Sequence, residues 1–411
     1  MLRRIFKPLV GDPPLFLAVS IMTVFGIGMI YSAGVLNIPS VVTEGAWLRQ
    51  ARWWALALGV FVAVRQVRAG WFEWIAVPAY IFSILLLVIT LFVGKGSGTA
   101  TGVRSFLDLG FLQFQPAELA KLATVLALAR YLANRPEDPV TLRALVAPTA
   151  IVGLPLALVV LQPDLGTVLA FVGILFATLF WAGVPTGFLI LLMSPAASLM
   201  LSYNAMIWAA FFLVLIVSLY LFRYRLFLVE SLSVLLANLA VGTVANPLWN
   251  SLAEYQKNRI LVFLDPSVDP RGAGYHLVQS MVAIGSGGLS GKGFTQGTQK
   301  AFDFLPEQHT DFIFSVIGEE LGFIGTVFTL ALFSFILYRL IRIAEEANPF
   351  AGLVIFGILG AWLMHIFVNV GMTVGMVPVT GIPLPFVSYG GTFLLMSWVA
   401  VGVATRLVQE D

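Results

Sequence analysis

The sequence predicts an all-α polytopic membrane protein of about twelve transmembrane helices, and three observations carry that prediction. Of 411 residues, 59% are hydrophobic and only 11% charged, whereas a soluble domain carries roughly 25% charged residues. The mean hydropathy is +0.95. Apolar runs of about twenty residues, the length of a helix crossing a hydrocarbon layer, recur along the whole chain. The net charge of +2 argues against a nucleic-acid partner, which selects a basic face. The lack of cysteine excludes disulfides, thiolate chemistry and a Cys-ligated metal.

Arg3, Arg4 and Lys7 precede the first apolar run, Leu15–Val35. That run is too long for a signal-peptide core and has no small-residue cleavage site, so it reads as a retained helix. Further spans fall at 46–64, 71–93, 116–133, 145–161, 164–182, 187–202, 205–222, 226–247, 312–338, 350–373 and 391–408, with Pro195 interrupting the seventh. With the N-terminus inside, the inner junctions hold Arg65 and Arg68, then Arg130, Arg135 and Arg143, then Arg223 and Arg225, then Arg339 and Arg342, then Arg406. Only the 182–186 junction lacks a cation, so the positive-inside rule is satisfied. Dropping one span between 187 and 247 would turn Arg339, Arg342 and Arg406 outward. Both termini are therefore expected in the cytoplasm, in one membrane domain (1–411) with a large extracytoplasmic loop at 248–311.

That loop, most of all Glu254–Asp311, is rich in Gly, Pro, Gln, Ser and charge. A stretch this long between membrane spans is usually functional or disordered. Its apolar pieces Leu261–Leu264 and Leu277–Ile284 favour a folded loop. Asp265 and Asp269 each precede a proline, which keeps them in extended or turn backbone. Gly272 and Gly274 allow tight backbone before Tyr275 and His276. The run Ser286–Gly293 is not a P-loop, since its Gly-Lys lacks a following Ser or Thr. Arg259, Arg271 and Lys292 are placed to meet an anionic lipid head group. Two more outer stretches, Gly94–Gln115 with Arg104 and Asp108, and Met376–Gly391 with Ser388, flank the same face.

Ionisable groups inside the membrane cost ~2.5–3.5 kcal/mol on insertion scales, so each needs a partner or a role. Glu118 and Lys121 share a face at i,i+3 in a helix opened by Pro116, as an ion pair or as the lining of a polar cavity. Gln162-Pro163-Asp164 repeats the Gln115-Pro116 opening, where a carboxylate acts as a helix cap or lines the same cavity. Asp311 opens a later helix after His309 and Thr310. Glu319 and Glu320, deeper in it, need a cation from a neighbour, with Lys121 as a candidate. His365 and Asn369 suit an interhelical hydrogen bond better than a metal, and three histidines without zinc-like spacing speak against zinc.

DPSVDPRGAGYHLVQSMVAIGSGGLSGKG, LPEQHTDFIFSVIGEELGFIG and PLPFVSYGGT resemble the signature blocks of the SEDS family (shape, elongation, division and sporulation). FQPAELAK and LQPDLGT are similar to its two smaller blocks, and the likeness runs from about Arg104 to Arg406. The GYHxxQSxxAIGSGGLxGKG pattern and short C-terminal tail look more like the elongation branch than the division branch. The resemblance implies a peptidoglycan glycosyltransferase polymerising lipid II at the outer face of the bacterial cytoplasmic membrane. Lipid II, an undecaprenyl-linked glycan, membrane lipids and a class B penicillin-binding protein would be its partners. The family's essential loop aspartate maps to Asp269, with Asp265 the weaker position. Family members typically have ten spans, so two helices within 187–247 look inserted, and Arg104-Ser105 departs from the usual Arg-Arg or Arg-Trp.

On that resemblance Asp269 is the general base for the acceptor hydroxyl. Arg104, Lys121, Arg259 and Arg271 would hold the leaving pyrophosphate, with Glu118 orienting Lys121. Asp164, Asp311, Lys292, His309 and Ser388 complete the expected substrate site, with a divalent cation, Mg²⁺ or Mn²⁺, optional. A lipid II flippase and a non-catalytic scaffold for a penicillin-binding protein are the alternatives. A transporter should show repeats with interrupted helices in matching halves, and no half-to-half repeat is evident.

Overall fold

The structure, a computed structural model, describes residues 10–36, 43–96, 104–108, 110, 113–135, 141–221, 228–251, 254–269, 272–301 and 307–409. All twelve predicted stretches are helical: α1 (Pro13–Ala33), α2 (Ala46–Gln66), α3 (Ala69–Val93), α4 (Pro116–Ala133), α5 (Val146–Leu161), α6 (Leu165–Trp181), α7 (Thr186–Leu201), α8 (Ala205–Leu221), α9 (Leu228–Ser251), and, after the loop, α13 (Ile313–Glu345), α14 (Pro349–Thr373) and α15 (Gly391–Leu407). Among the described residues, α1, α3, α5 with its leading turn, α9, α13 and α14 are long and apolar enough to cross a membrane; α6, α7, α8 and α15 are apolar but shorter. The remaining two, α2 and α4, carry Arg49, Arg52 and Arg65, and Glu118, Lys121 and Arg130. The loop is folded, into α10 (Glu254–Leu264), a 3-10 turn (Pro266–Val268), α11 (Ala273–Ser286) and α12 (Thr298–Ala301). A small hairpin of β1 (Leu107–Asp108) and β2 (Gln113–Phe114), antiparallel with Leu107 opposite Phe114, departs from the all-helix expectation.

Helix starts follow local chemistry. Asp12 accepts from Leu15 N at 2.9 Å before Pro13 and Pro14, and Asn348 accepts from Ala351 N at 2.8 Å before Pro349. Each satisfies an N–H that the first turn leaves without a partner. The bundle is built around α14, which packs on α4, α6 and α13. It crosses α6 at Gly173 and Gly360, where a Cβ on either glycine would lie 2.3 Å from the other's carbonyl oxygen. Close approach through small residues drives helix association where lipid offers no hydrophobic force. On α15 the fully buried Trp398 meets Phe16 and Phe61, both at 5.6 Å between ring centroids.

Two faces of the bundle are marked by contacts. On one, Asp12 pairs with Arg339 at 2.5 Å, Arg65 donates to Thr405 at 2.9 Å, and Arg406 donates to Val67 O at 2.7 Å. On the other, Gln50 donates to Ser388 O at 3.1 Å and Gln308 to Ala33 O at 3.0 Å. Arg65 of α2, Arg339 of α13 and Arg406 of α15 thus lie opposite the loop face, as the parity of three helices between α6 and the loop requires. Those three, α7–α9, form a wing with a buried polar tie. Buried Asn238 donates to Ser194 Oγ at 2.8 Å, and Ser198 donates to Asn238 O at 2.8 Å.

Candidate functional site

Two groups of polar side chains meet at the loop face. The first starts with the two Gln-Pro openings. Gln115 donates to Asp164 Oδ2 at 3.2 Å, so the starts of α4 and α6 are joined directly. Asp164 also caps α6, accepting from Thr167 N at 3.1 Å and Thr167 Oγ1 at 2.9 Å. One turn into α4, buried Glu118 and Lys121 pair at 2.9 Å. Lys121 Nζ also reaches His365 Nε2 at 2.9 Å, while His365 Nδ1 lies 2.9 Å from Pro383 O. A carbonyl only accepts, so Nδ1 carries the proton and Nε2 accepts from the ammonium. Phe393 lies under the same ammonium, 5.1 Å from Nζ to its ring centroid. A cavity of about 40 Å³ opens beside Glu118, Lys121, His365 and Ser397.

Asp164 acts electrostatically on both Glu118 and Asp311, which brings three carboxylates into one field. Asp311 precedes α13, and its carboxylate faces Gly381, where a Cβ would lie 3.1 Å from Oδ2. Burial, then the Glu307 carboxylate, push Asp311 up to about 7 against the pull of Arg259 and a Thr310 hydrogen bond. Arg259, on α10, donates to Thr380 O at 3.4 Å. His309 is buried against Tyr389, at 5.4 Å between ring centroids, with its Nδ1 unpartnered. Burial, then the Arg49 guanidinium, push His309 down to about 4. Arg49 Nε itself donates to Tyr389 Oη at 3.2 Å.

The second group lies at the start of α11. The two loop aspartates, equivalent in sequence pattern, differ in place. Asp265 is exposed and caps the 3-10 turn, accepting from Ser267 N at 2.9 Å and Ser267 Oγ at 2.7 Å, which hold its carboxyl below the ordinary carboxylate range. Asp269 is half-buried, with its carboxylate over Gly272, the residue that caps α11. A Cβ at Gly272 would lie 2.3 Å from Asp269 Oδ2, and one at Gly274 would lie 2.6 Å from Asp269 O. Both glycines are needed to admit that arrangement, and the positive end of α11 stabilises negative charge there. His276, one turn further on, lies in the field of Asp269, and its ring approaches Phe312 at 6.3 Å. Phe312 follows Asp311, so the two groups adjoin.

Other expected positions fall elsewhere. Arg104 is exposed beside the hairpin, donating to Leu91 O at 3.3 Å. Arg271 lies outside the described residues. Ser388 is buried and spans Thr310 O (2.6 Å) and Leu384 N (2.8 Å), so it ties the loop before α15 to the turn before α13. Lys292 pairs with Glu319 at 2.7 Å. The fourteen residues of α11 separate it from Asp269, a rise of about 21 Å. Lys121 is not the partner of Glu319 or Glu320, because Glu118 and His365 already hold it. The partner of Glu320 is Lys300, at 2.5 Å with both side chains fully buried. Sequence reading missed Lys300, His276 and Arg49; a lysine within a polar loop gives no sign of meeting an acid buried in a helix. Among the described residues no three His, Asp or Glu side chains converge so as to hold a metal ion.

The sequence model of the cell cycle proteins FtsW, RodA and SpoVE matches residues 14–227 and 201–411, two stretches that overlap within the wing. The chain is 35% identical over 381 residues to the peptidoglycan glycosyltransferase MrdB of Escherichia coli K12, covering 92% of this chain and 90% of MrdB. It is 34% identical over 421 residues to the peptidoglycan glycosyltransferase RodA of Treponema pallidum, covering 95% and 96%. Its fold is similar to a chain of a peptidoglycan synthase complex in which polymerization and crosslinking are coordinated, at TM-score 0.70, 30% identity and 98% of both chains. It is also similar to the rod shape determining protein RodA of Thermus thermophilus, at TM-score 0.64, 26% identity and 98% of both chains. This chain therefore belongs to the SEDS family, the cell cycle protein family of FtsW, RodA and SpoVE.

Proposed function

We propose that this chain is a peptidoglycan glycosyltransferase that polymerises lipid II, with Asp269 as general base, at the outer face of the bacterial cytoplasmic membrane. The observation that carries the reading is the seat of Asp269. It is a half-buried carboxylate fixed at a helix N-terminus, beside a polar cluster, in a chain more than 30% identical over nine-tenths of its length to two such glycosyltransferases. The face bearing the loop is taken as the outer one because Arg65, Arg339 and Arg406 lie opposite.

The acceptor's 4-hydroxyl is a poor nucleophile at neutral pH. Asp269 takes its proton as the oxygen bonds to the anomeric carbon of the donor, and the bond from that carbon to undecaprenyl pyrophosphate breaks. A positioned base contributes typically ~10²–10⁴-fold. The electron pair leaves on pyrophosphate, whose charge needs cations close by. Arg259 stands beside the Asp311 carboxylate on the loop side, and Arg104 on the hairpin; Lys121, paired on both sides, shapes the floor. A Mg²⁺ or Mn²⁺ ion would have to draw its ligands largely from pyrophosphate and water. A class B penicillin-binding protein is the expected partner, supported by the likeness to the synthase-complex chain. The polar groups gather at the loop face and not at the membrane midplane, where transporters hold their substrates, which disfavours a flippase reading.

The test combines the purified chain, its cognate penicillin-binding protein with the transpeptidase serine replaced, and lipid II, with products resolved on a gel. Parent and Asp265→Ala should give long glycan strands, and a folded Asp269→Ala should lose at least ~10²-fold in rate. Equal polymer from all three removes Asp269 from the mechanism. No polymer from the parent, together with lipid II scrambling in vesicles, favours the flippase.

A further inference from the structure

The glycine-rich run that is not a P-loop has a defined place in the fold. Within α13 a single residue, Gly322, leaves helical geometry, at φ 63 and ψ −158. A break of this kind strands N–H groups on one side and carbonyls on the other. Here the segment Gly288–Gly293 supplies the partners. Phe323 N and Ile324 N donate to Gly288 O (2.8 Å) and Leu289 O (3.1 Å), while Glu319 O and Glu320 O accept from Lys292 N and Gly293 N, both at 3.0 Å. The fit is backbone on backbone. A Cβ on Gly291 would lie 2.0 Å from Glu320 O, and one on Gly322 would lie 2.3 Å from Gly291 N. Gly291 and Gly322 also hold positive φ, a region open to glycine at little cost.

Two buried glutamates then lock the inserted segment. Glu319 pairs with Lys292 and accepts from Thr298 N at 2.7 Å and Gln299 N at 3.0 Å. Glu320 pairs with Lys300 and accepts from Ser32 Oγ at 2.5 Å, which adds α1 to the clamp. From this clamp α11 runs back along the first half of α13. Ser280 and Ser315 share a hydrogen bond of 2.6 Å, and Ser280 donates to Thr373 O at 2.7 Å. A Cβ on Gly318 would come within 2.9 Å of Ile284. At the far end of α11 sits Asp269.

We infer that the filled break in α13, with its Lys292–Glu319 and Lys300–Glu320 pairs, is a positioning element for the Asp269 carboxylate, acting through α11 as a rigid arm. Asp269 is seated on the first residue before that arm, and the arm is anchored at its other end by the clamp. Gly291, Gly322, Lys292 and Glu319 are therefore positioning residues that touch no substrate. The inference rests on the reading of Asp269 as base.

The chain has no cysteine, which permits nitroxide labels on the full-length protein at Val268→Cys and Leu48→Cys, both exposed. Distances between the labels are measured in Lys292→Met, Lys292→Arg and Gly322→Ala backgrounds, and lipid II polymerisation is measured on the unlabelled variants. Lys292→Met should broaden the distance distribution and lower kcat roughly ten- to a hundredfold with KM for lipid II unchanged. Lys292→Arg should recover most of both, and Gly322→Ala should exceed Lys292→Met. A folded Lys292→Met with the parent's distances and rate overturns the inference. So does a lost rate with unchanged distances, which would put Lys292 at the substrate. If Gly322→Ala does not fold, the Lys292 pair of variants still decides. A parent that fails to polymerise lipid II removes the function reading, while the distance distributions still show whether the clamp holds the arm.

Discussion

The helices α14 and α9 are both long and apolar, yet 78% of the apolar window of α14 is buried in the protein against 6% for α9. Hydropathy does not separate them, because lipid tails solvate Leu and Val as well as a protein interior does. Backbone access does. On α14, Gly352 meets Trp181, Gly357 meets Val125, and Gly360 meets Gly173, each within a distance that would exclude a Cβ. On α9 the matching contact, Gly242 against Trp208, stays within the wing. Polar groups divide in the same way. Around α14 and α4 they form a coupled set, the Glu118–Lys121 ion pair with the His365 ring accepting from the lysine, whereas the wing has only the uncharged Asn238, Ser194 and Ser198. The centre of the bundle is thus built to hold charge in place, and the wing only to hold itself together.

Four substitutions probe that contrast, taken from the largest effect down. Lys121→Met strands buried Glu118 and His365 and should cost about 3–5 kcal/mol in detergent-solubilised thermal unfolding. The double variant Glu118→Gln/Lys121→Met should recover much of that stability, so activity still missing from it reports a role in the site beyond folding. Gly360→Val forces α14 away from α6 and should cost about 3 kcal/mol, the upper end for overpacking. The same measurement on Asn238→Leu should give about 0.6–1.7 kcal/mol, with the polymerisation rate unchanged. A large loss of rate there would mean that the wing is coupled to the site.

A further contrast is pH dependence at the loop face. Asp311, pushed up to about 7, holds its proton more tightly in the folded chain, so its contribution to stability is full below about pH 4 and is lost as pH rises to about 7. His309, pushed down to about 4, resists protonation when folded, so stability falls as pH drops from about 6.5 to 4. The two slopes oppose each other across the shared window. Asp311→Asn should therefore unmask acid sensitivity in the melting temperature between pH 4 and 6.5, and His309→Gln should unmask the reverse. Identical profiles for both variants and the parent would show that neither group titrates in that way.

Length and apolarity determined where the helices lie, because a membrane-spanning segment must satisfy its backbone internally and so declares itself locally. Arginine spacing likewise fixed the odd number of helices before the loop, and the Asp-Pro pairs placed Asp265 and Asp269 in turns. Partnership was not legible. The sequence offered Lys121 to Glu319 and Glu320, but the buried acids take Lys292 and Lys300 from the loop, since i,i+3 spacing already commits Lys121 to Glu118. Nor did local residue chemistry separate Asp265 from Asp269, which only the family resemblance ranked, or give the glycine run a purpose. Each depends on which groups pack where no Cβ would fit, the Asp269 carboxylate over Gly272 in one case and backbone inside the break of α13 in the other. Local chemistry writes elements into sequence, but contacts between distant residues exist only once those elements pack.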